Sequence, residues 1–106
     1  MTAYVISQVE ILEPEQWERY RQIAAPAIAK FGGRYLVRGA DAEVAEADWP
    51  AEHVPPQKVI VVEFPSMEAL HAWYQSEDYA PALAIRQTAV KRRLIFVRGL
   101  DEASAL

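Results

Sequence analysis

Residues 58–79, KVIVVEFPSMEALHAWYQSEDY, decide the fold. Val59, Ile60, Val61 and Val62 form an unbroken β-branched run, which suits a pleated and buried strand. Successive side chains alternate, so Val59 and Val61 face one way while Ile60, Val62 and Phe64 face the other. Both faces are apolar and both need cover. Glu63 stands on the Val59/Val61 face just before Pro65 ends the ladder. Ser66 is placed to cap a short helix, with Glu68 in the first turn, where the helix dipole favours an anion. Ala69, Leu70, Trp73 and Tyr74 then recur at helical spacing and bury one stripe.

Upstream, residues 3–9 alternate as a first strand, with Tyr4 and Ile6 on one side and Val5 and Val9 on the other. Pro14 opens a helix at a position where its missing N–H costs nothing. Trp17, Tyr20, Ala24, Ala27, Ile28 and Phe31 give that helix an amphipathic stripe. Pro26 should bend it and Gly32-Gly33 should end it. Residues 34–38 form a second strand, Gly39 permits a bulge or turn, and the proline-rich residues 48–57 read as a loop. Downstream, a further helical piece is expected from about Tyr79 to Lys91, with Asp78 as its cap, then a last strand over residues 94–99.

The expected order is strand–helix–strand–strand–helix–strand, a ferredoxin-like α+β arrangement. Right-handed crossovers place the helices on one face of a four-stranded antiparallel sheet. The other face is left bare and apolar, which predicts a homodimer packed sheet to sheet.

The 106 residues give one domain over 1–100 with a polar tail over 101–106. The absence of Cys removes disulfides and thiolate chemistry. No signal peptide and no apolar run of ~20 residues is visible, so a cytoplasmic protein without a membrane partner is expected. A net charge of −4 argues against nucleic acid as a partner. The one basic run, Lys91-Arg92-Arg93, reads as solvated cations at a helix C-terminus.

Five residues are candidates for a site. Arg86 falls within the inward stripe of the last helix, where a guanidinium needs a carboxylate or a ligand anion unless its head reaches water. Glu63 is the internal carboxylate, read as partner of Arg86 or, if catalytic, as a general base. Arg38, near Glu63, can clamp a carboxylate or hold a cross-strand ion pair. Trp73 and Tyr79 can wall an aromatic ligand or simply pack the core. His53 and His71 lack metal-ligand spacing, and the glycines form no phosphate-binding loop, so neither a metal nor a cofactor is expected.

The segments AAPAIAKFGGRYLVRG, EFPS and WYxSxxY followed seven residues on by Arg86 resemble the domain of unknown function 1330 family, within the dimeric α+β barrel superfamily. The likeness spans residues 2–100 and departs at HVPP, which lengthens the hairpin. It implies a ferredoxin-like protomer that dimerises through its sheet. It also implies relatives that include cofactor-free monooxygenases, isomerases, haem enzymes and proteins of no known activity. The resulting expectation is a homodimer holding a small organic acid or aromatic metabolite between sheet and helices, with cofactor-free acid–base chemistry. The alternative is a non-catalytic ligand-binding or regulatory dimer.

Overall fold

Alternation along the strands sorts the chain into two faces. The structure is a computed structural model that describes residues 1–48 and 58–100. Its elements are β1 (Ala3–Ile11), α1 (Pro14–Lys30), β2 (Arg34–Asp41), β3 (Lys58–Phe64), α2 (Met67–Tyr74), α3 (Ala80–Ala89) and β4 (Val90–Arg98). The sheet order is β2-β3-β1-β4 and every neighbouring pair is antiparallel. This is the ferredoxin-like α+β fold, with its second helical segment split into α2 and α3. Most of the proline-rich loop and the polar tail lie outside the described residues.

On β1, Ala3, Val5, Ser7 and Val9 are buried beneath the helices, while Tyr4, Ile6 and Gln8 face the other way and stay half-exposed. The core joins Val5, Val62 and Phe64 of the sheet to Tyr20, Ala24 and Ile28 of α1 and Leu70 and Trp73 of α2. Each fully buried side chain of this size contributes roughly 1.5–3 kcal/mol. The Ser66 hydroxyl accepts from the Ala69 N–H at 3.0 Å, the cap expected of it. Helix α1 runs through Pro26 to Lys30, and Gly32, with φ +84°, takes the left-handed conformation that closes it.

Two boundaries differ from those read in the sequence. Helix α3 is capped at Tyr79 rather than Asp78, because the Ser76 hydroxyl already accepts the Tyr79 N–H at 3.1 Å. Asp78 instead pairs with Lys30 at 3.0 Å. More important, α3 stops at Ala89 and β4 begins at Val90, whose φ of −148° and ψ of 156° are fully extended. Lys91, Arg92 and Arg93 therefore lie in a strand and not at a helix end. Only Arg92 of the three points toward the helices, opposite Val9; Lys91 and Arg93 are exposed on the other face.

Strand β2 carries two extra residues against β3, at Leu36 and Gly39. Gly39 has φ +77°, open to glycine at little cost. The first bulge reverses the parity of the strand. Arg34 pairs opposite Glu63 on the helix-free face, whereas Arg38 pairs opposite Ile60 on the helix face. That helix-free face carries a row across all four strands, Val37–Val61–Ile6–Ile95. Leu36, Ile95 and Val97 keep 38–47% of their surface exposed.

Candidate functional site

Between α1 and the helix face of the sheet lies a cavity of about 320 Å³. Its floor is Val5, Ser7, Ile60, Val62 and Leu94, and Trp17, Tyr20 and Trp73 stand among its walls. This is a volume at the lower end of the range for small-molecule pockets.

Among the described residues, the charged groups around it are all cationic. Arg21, Arg38, Lys58 and Arg92 line the cavity, and no described aspartate or glutamate does. Two of the four are neutralised at its edge, Arg21 by Glu18 at 3.3 Å and Lys58 by Asp41 at 2.5 Å. Arg38 instead lies over the Tyr35 ring, 4.5 Å from its centroid. Arg92 bonds only phenols: it donates to the Tyr20 oxygen at 2.8 Å and to the Tyr79 oxygen at 3.1 Å. Among the described residues, neither Arg38 nor Arg92 has a carboxylate partner.

The two phenols that receive Arg92 also bond one another, 2.6 Å apart. Tyr79 packs at 4.4 Å against the Trp73 ring and is fully buried. Burial first, and then the adjacent Tyr20 phenol, push the Tyr79 hydroxyl well above its ordinary pKa, with Arg92 opposing them. Tyr79 is thus a neutral, protonated group at any physiological pH. Two further polar atoms belong to residues that line the cavity. Ser7 Oγ and Trp73 Nε1 are buried and find no hydrogen-bond partner among the described residues. Their residues keep only 4% and 2% of their surface exposed. Such groups are rare in folded proteins and call for an explanation.

The sequence profile of the domain of unknown function (DUF1330) matches residues 2–100. The chain belongs to that family. A DUF1330 assignment fits the solved structures it resembles. A protein of unknown function from Rhodopseudomonas palustris, RPA0582, superposes with a TM-score of 0.74 at 22% identity, over 94% of this chain and 83% of that one. SnoaB from Streptomyces nogalater, a cofactor-independent oxygenase, gives 0.63 at 10% identity over 94% of each chain. Rv0793 from Mycobacterium tuberculosis gives 0.60 at 20% identity, over 98% of this chain and all (100%) of that one. At these identities the likeness shows the shared α+β barrel fold. No curated protein sequence matches this one significantly.

On this DUF1330 fold the residues singled out in the sequence are dispersed. Arg38 and Trp73 line the cavity, and Tyr79 stands behind it through Tyr20 and Arg92. Glu63 lies on the opposite face of the sheet and accepts from Arg34 Nε at 2.9 Å. It pairs with neither Arg86 nor Arg38, because strand parity turns it away from the helices and the β2 bulge gives it a different arginine. Arg86 is half-buried in the last turn of α3, where a cation complements the helix dipole, and is not among the cavity-lining residues. Ser7, Tyr20 and Arg92 line the cavity and were not among the site residues read from the sequence. Ser7 was visible as the one polar residue on the Val5/Val9 parity of β1. Arg92 was visible once VKRRLIFVR is read with a period of two from Val90.

Proposed function

We propose that this protein binds a small organic acid with an aromatic or apolar body in the cavity under α1. The observation that carries the proposal is the presence of two guanidiniums, Arg38 and Arg92, without carboxylate partners among the described residues, at a cavity that no described acidic residue lines. A hydrogen bond to a charged group contributes roughly 1.5–3 kcal/mol, so an anionic ligand gains where a neutral one does not. The apolar floor and the rings of Trp17 and Trp73 suit a flat hydrocarbon body.

For a turnover reaction in this cavity the proton donor is Tyr20. Glu63, the base read from the sequence, belongs in this account to the rim of the opposite face with Arg34. The non-catalytic reading gains from a specific observation: among the described residues neither a carboxylate nor a histidine lines the cavity, so none of them is an ordinary base for neutral pH there. We accordingly place ligand binding first and turnover second.

The helix-free face is the proposed homodimer surface. Its apolar row, Val37–Val61–Ile6–Ile95, is flanked on one side by the Arg34–Glu63 pair and on the other by Gln8 and Arg93, an apolar centre with a polar rim. Sedimentation equilibrium at micromolar concentration should give twice the chain mass. The ligand reading is tested by tryptophan fluorescence titration with benzoate and with benzamide, its uncharged counterpart of the same shape. Benzoate should bind at least about tenfold tighter. Equal affinities would overturn the organic-acid reading.

A further inference from the structure

We propose that Ser7, Trp73 and Tyr20 form a cluster of neutral donors that receives a second oxygen of the ligand, a carbonyl or enolate oxygen distinct from its carboxylate. This rests on the organic-acid reading and adds the ligand's other end.

The argument is an accounting of protons. An indole N–H can only donate, and Trp73 Nε1 is buried with no acceptor among the described residues. A serine hydroxyl donates one proton, and that of Ser7 is in the same state. The third donor comes from the phenol pair. Arg92 is a donor to both oxygens, and the contact between Tyr20 and Tyr79 uses one of their two protons. The remaining phenolic proton has no acceptor among the described residues. It belongs to Tyr20, because Tyr20 lines the cavity and the fully buried Tyr79 does not. The arrangement that satisfies every atom is Tyr79 O–H donating to Tyr20, Tyr20 O–H donating to the ligand, and Arg92 polarising both phenols. Three donors around one cavity, with a guanidinium behind one of them, match an oxygen with free lone pairs and a developing negative charge. An ammonium or amide N–H would meet only like donors there.

The sheet register gives the backbone spacing beneath the ligand's two ends. Arg38, Ile60, Ser7 and Leu94 form one row on the helix face. Arg38 and Ser7 are thus two strands apart with Ile60 between them, roughly 9–10 Å from backbone to backbone. A carboxylate on Arg38 and an oxygen at Ser7 need a spacer across Ile60, and a flat ring supplies one. The ligand class is an oxo acid whose carbonyl and carboxylate are separated by a ring or a chain of like length, rather than a 2-oxo acid with the two groups adjacent.

The test compares 4-acetylbenzoate with 4-isopropenylbenzoate, in which a methylene group replaces the carbonyl oxygen in the same shape. Calorimetric titration of the wild-type protein should give a preference of about tenfold or more for the ketone. Ser7→Ala and Trp73→Phe should each shrink that preference at least about threefold, read as the ratio of the two affinities within each variant. Equal wild-type affinities for the two acids would overturn the donor cluster and leave the organic-acid reading standing. A preference that survives both substitutions would also overturn it, since the carbonyl would then sit elsewhere. If neither acid binds at millimolar concentration, the organic-acid reading falls and takes this inference with it.

Discussion

Two faces of one sheet are built from the same strands and do opposite things. On the helix side, β4 contributes Arg92, held by two phenols at the edge of a cavity. One residue on, Arg93 is exposed on the helix-free side. Along β1 the helix side receives Ser7, a lone hydroxyl in an apolar floor, while the other side receives Ile6 in an apolar row. The first face thus holds a buried hydroxyl without a partner among the described residues and two guanidiniums without carboxylates, whereas polar groups are peripheral to an apolar centre on the second. The first pattern suits recognition of a small polar molecule, and the second suits burial against a like surface. A single bulge at Leu36 keeps the two apart, because it sends Arg34 to Glu63 and Arg38 to the cavity.

The contrast is broken most severely from the helix-free side. Ile6→Asp puts a charge in the centre of the apolar row, and an unpaired buried charge costs roughly 3–5 kcal/mol. The dimer dissociation constant should rise by about a thousandfold or more in sedimentation experiments. A dimer of unchanged affinity would remove this face from the interface. On the helix side, Arg38→Met should weaken benzoate binding by roughly 1.5–3 kcal/mol without dissociating the dimer. Retained affinity would shift the anion to Arg92 alone.

Titration sharpens the contrast. The folded state holds Tyr79 protonated above its ordinary pKa, whereas the unfolded chain releases that proton near pH 10. Above that pH the unfolded state binds fewer protons, so stability falls by up to about 1.4 kcal/mol per pH unit. Urea denaturation at pH 9–11 should show this slope, and Tyr79→Phe should flatten it. Ser7→Ala should make the ligand-free protein more stable by about 1 kcal/mol, since it deletes an unpartnered buried hydroxyl. Destabilisation of that size would mean the hydroxyl already has its partner. The smallest effect is expected from Glu63→Gln, where an ion pair with a largely exposed arginine is worth about 0.2–1 kcal/mol. Ligand affinity should not change, and a large loss would return Glu63 to the site.

The fold was legible because its signals are periodic and local. The β-branched run ending at Pro65, the Ser66 cap and the stripe from Trp17 to Ile28 each specify an element without outside help. The site was legible only in part, because it depends on parity across elements. Arg38 and Trp73 line the cavity, Arg38 on the opposite face of the sheet from the Glu63 with which its position had grouped it. The pairing of Glu63 was hidden by a bulge at Leu36, an ordinary hydrophobic residue that carries no mark of an irregularity. Arg92 was hidden by a boundary: helix and strand both tolerate Lys-Arg-Arg, and Val90 decides between them by turning extended. Tyr20 read as core from its spacing, and it is core; its hydroxyl acquires a role only through Tyr79, 59 residues away.

The central claim is that the ligand enters the helix side of the sheet and leaves the other side alone. Methyl-labelled protein titrated with benzoate and followed by NMR tests it directly. The account predicts shifts at Ile60, Val62 and Leu94, which floor the cavity, and none at Ile6, Val61 and Ile95. Shifts confined to Ile6, Val61 and Ile95 would contradict it.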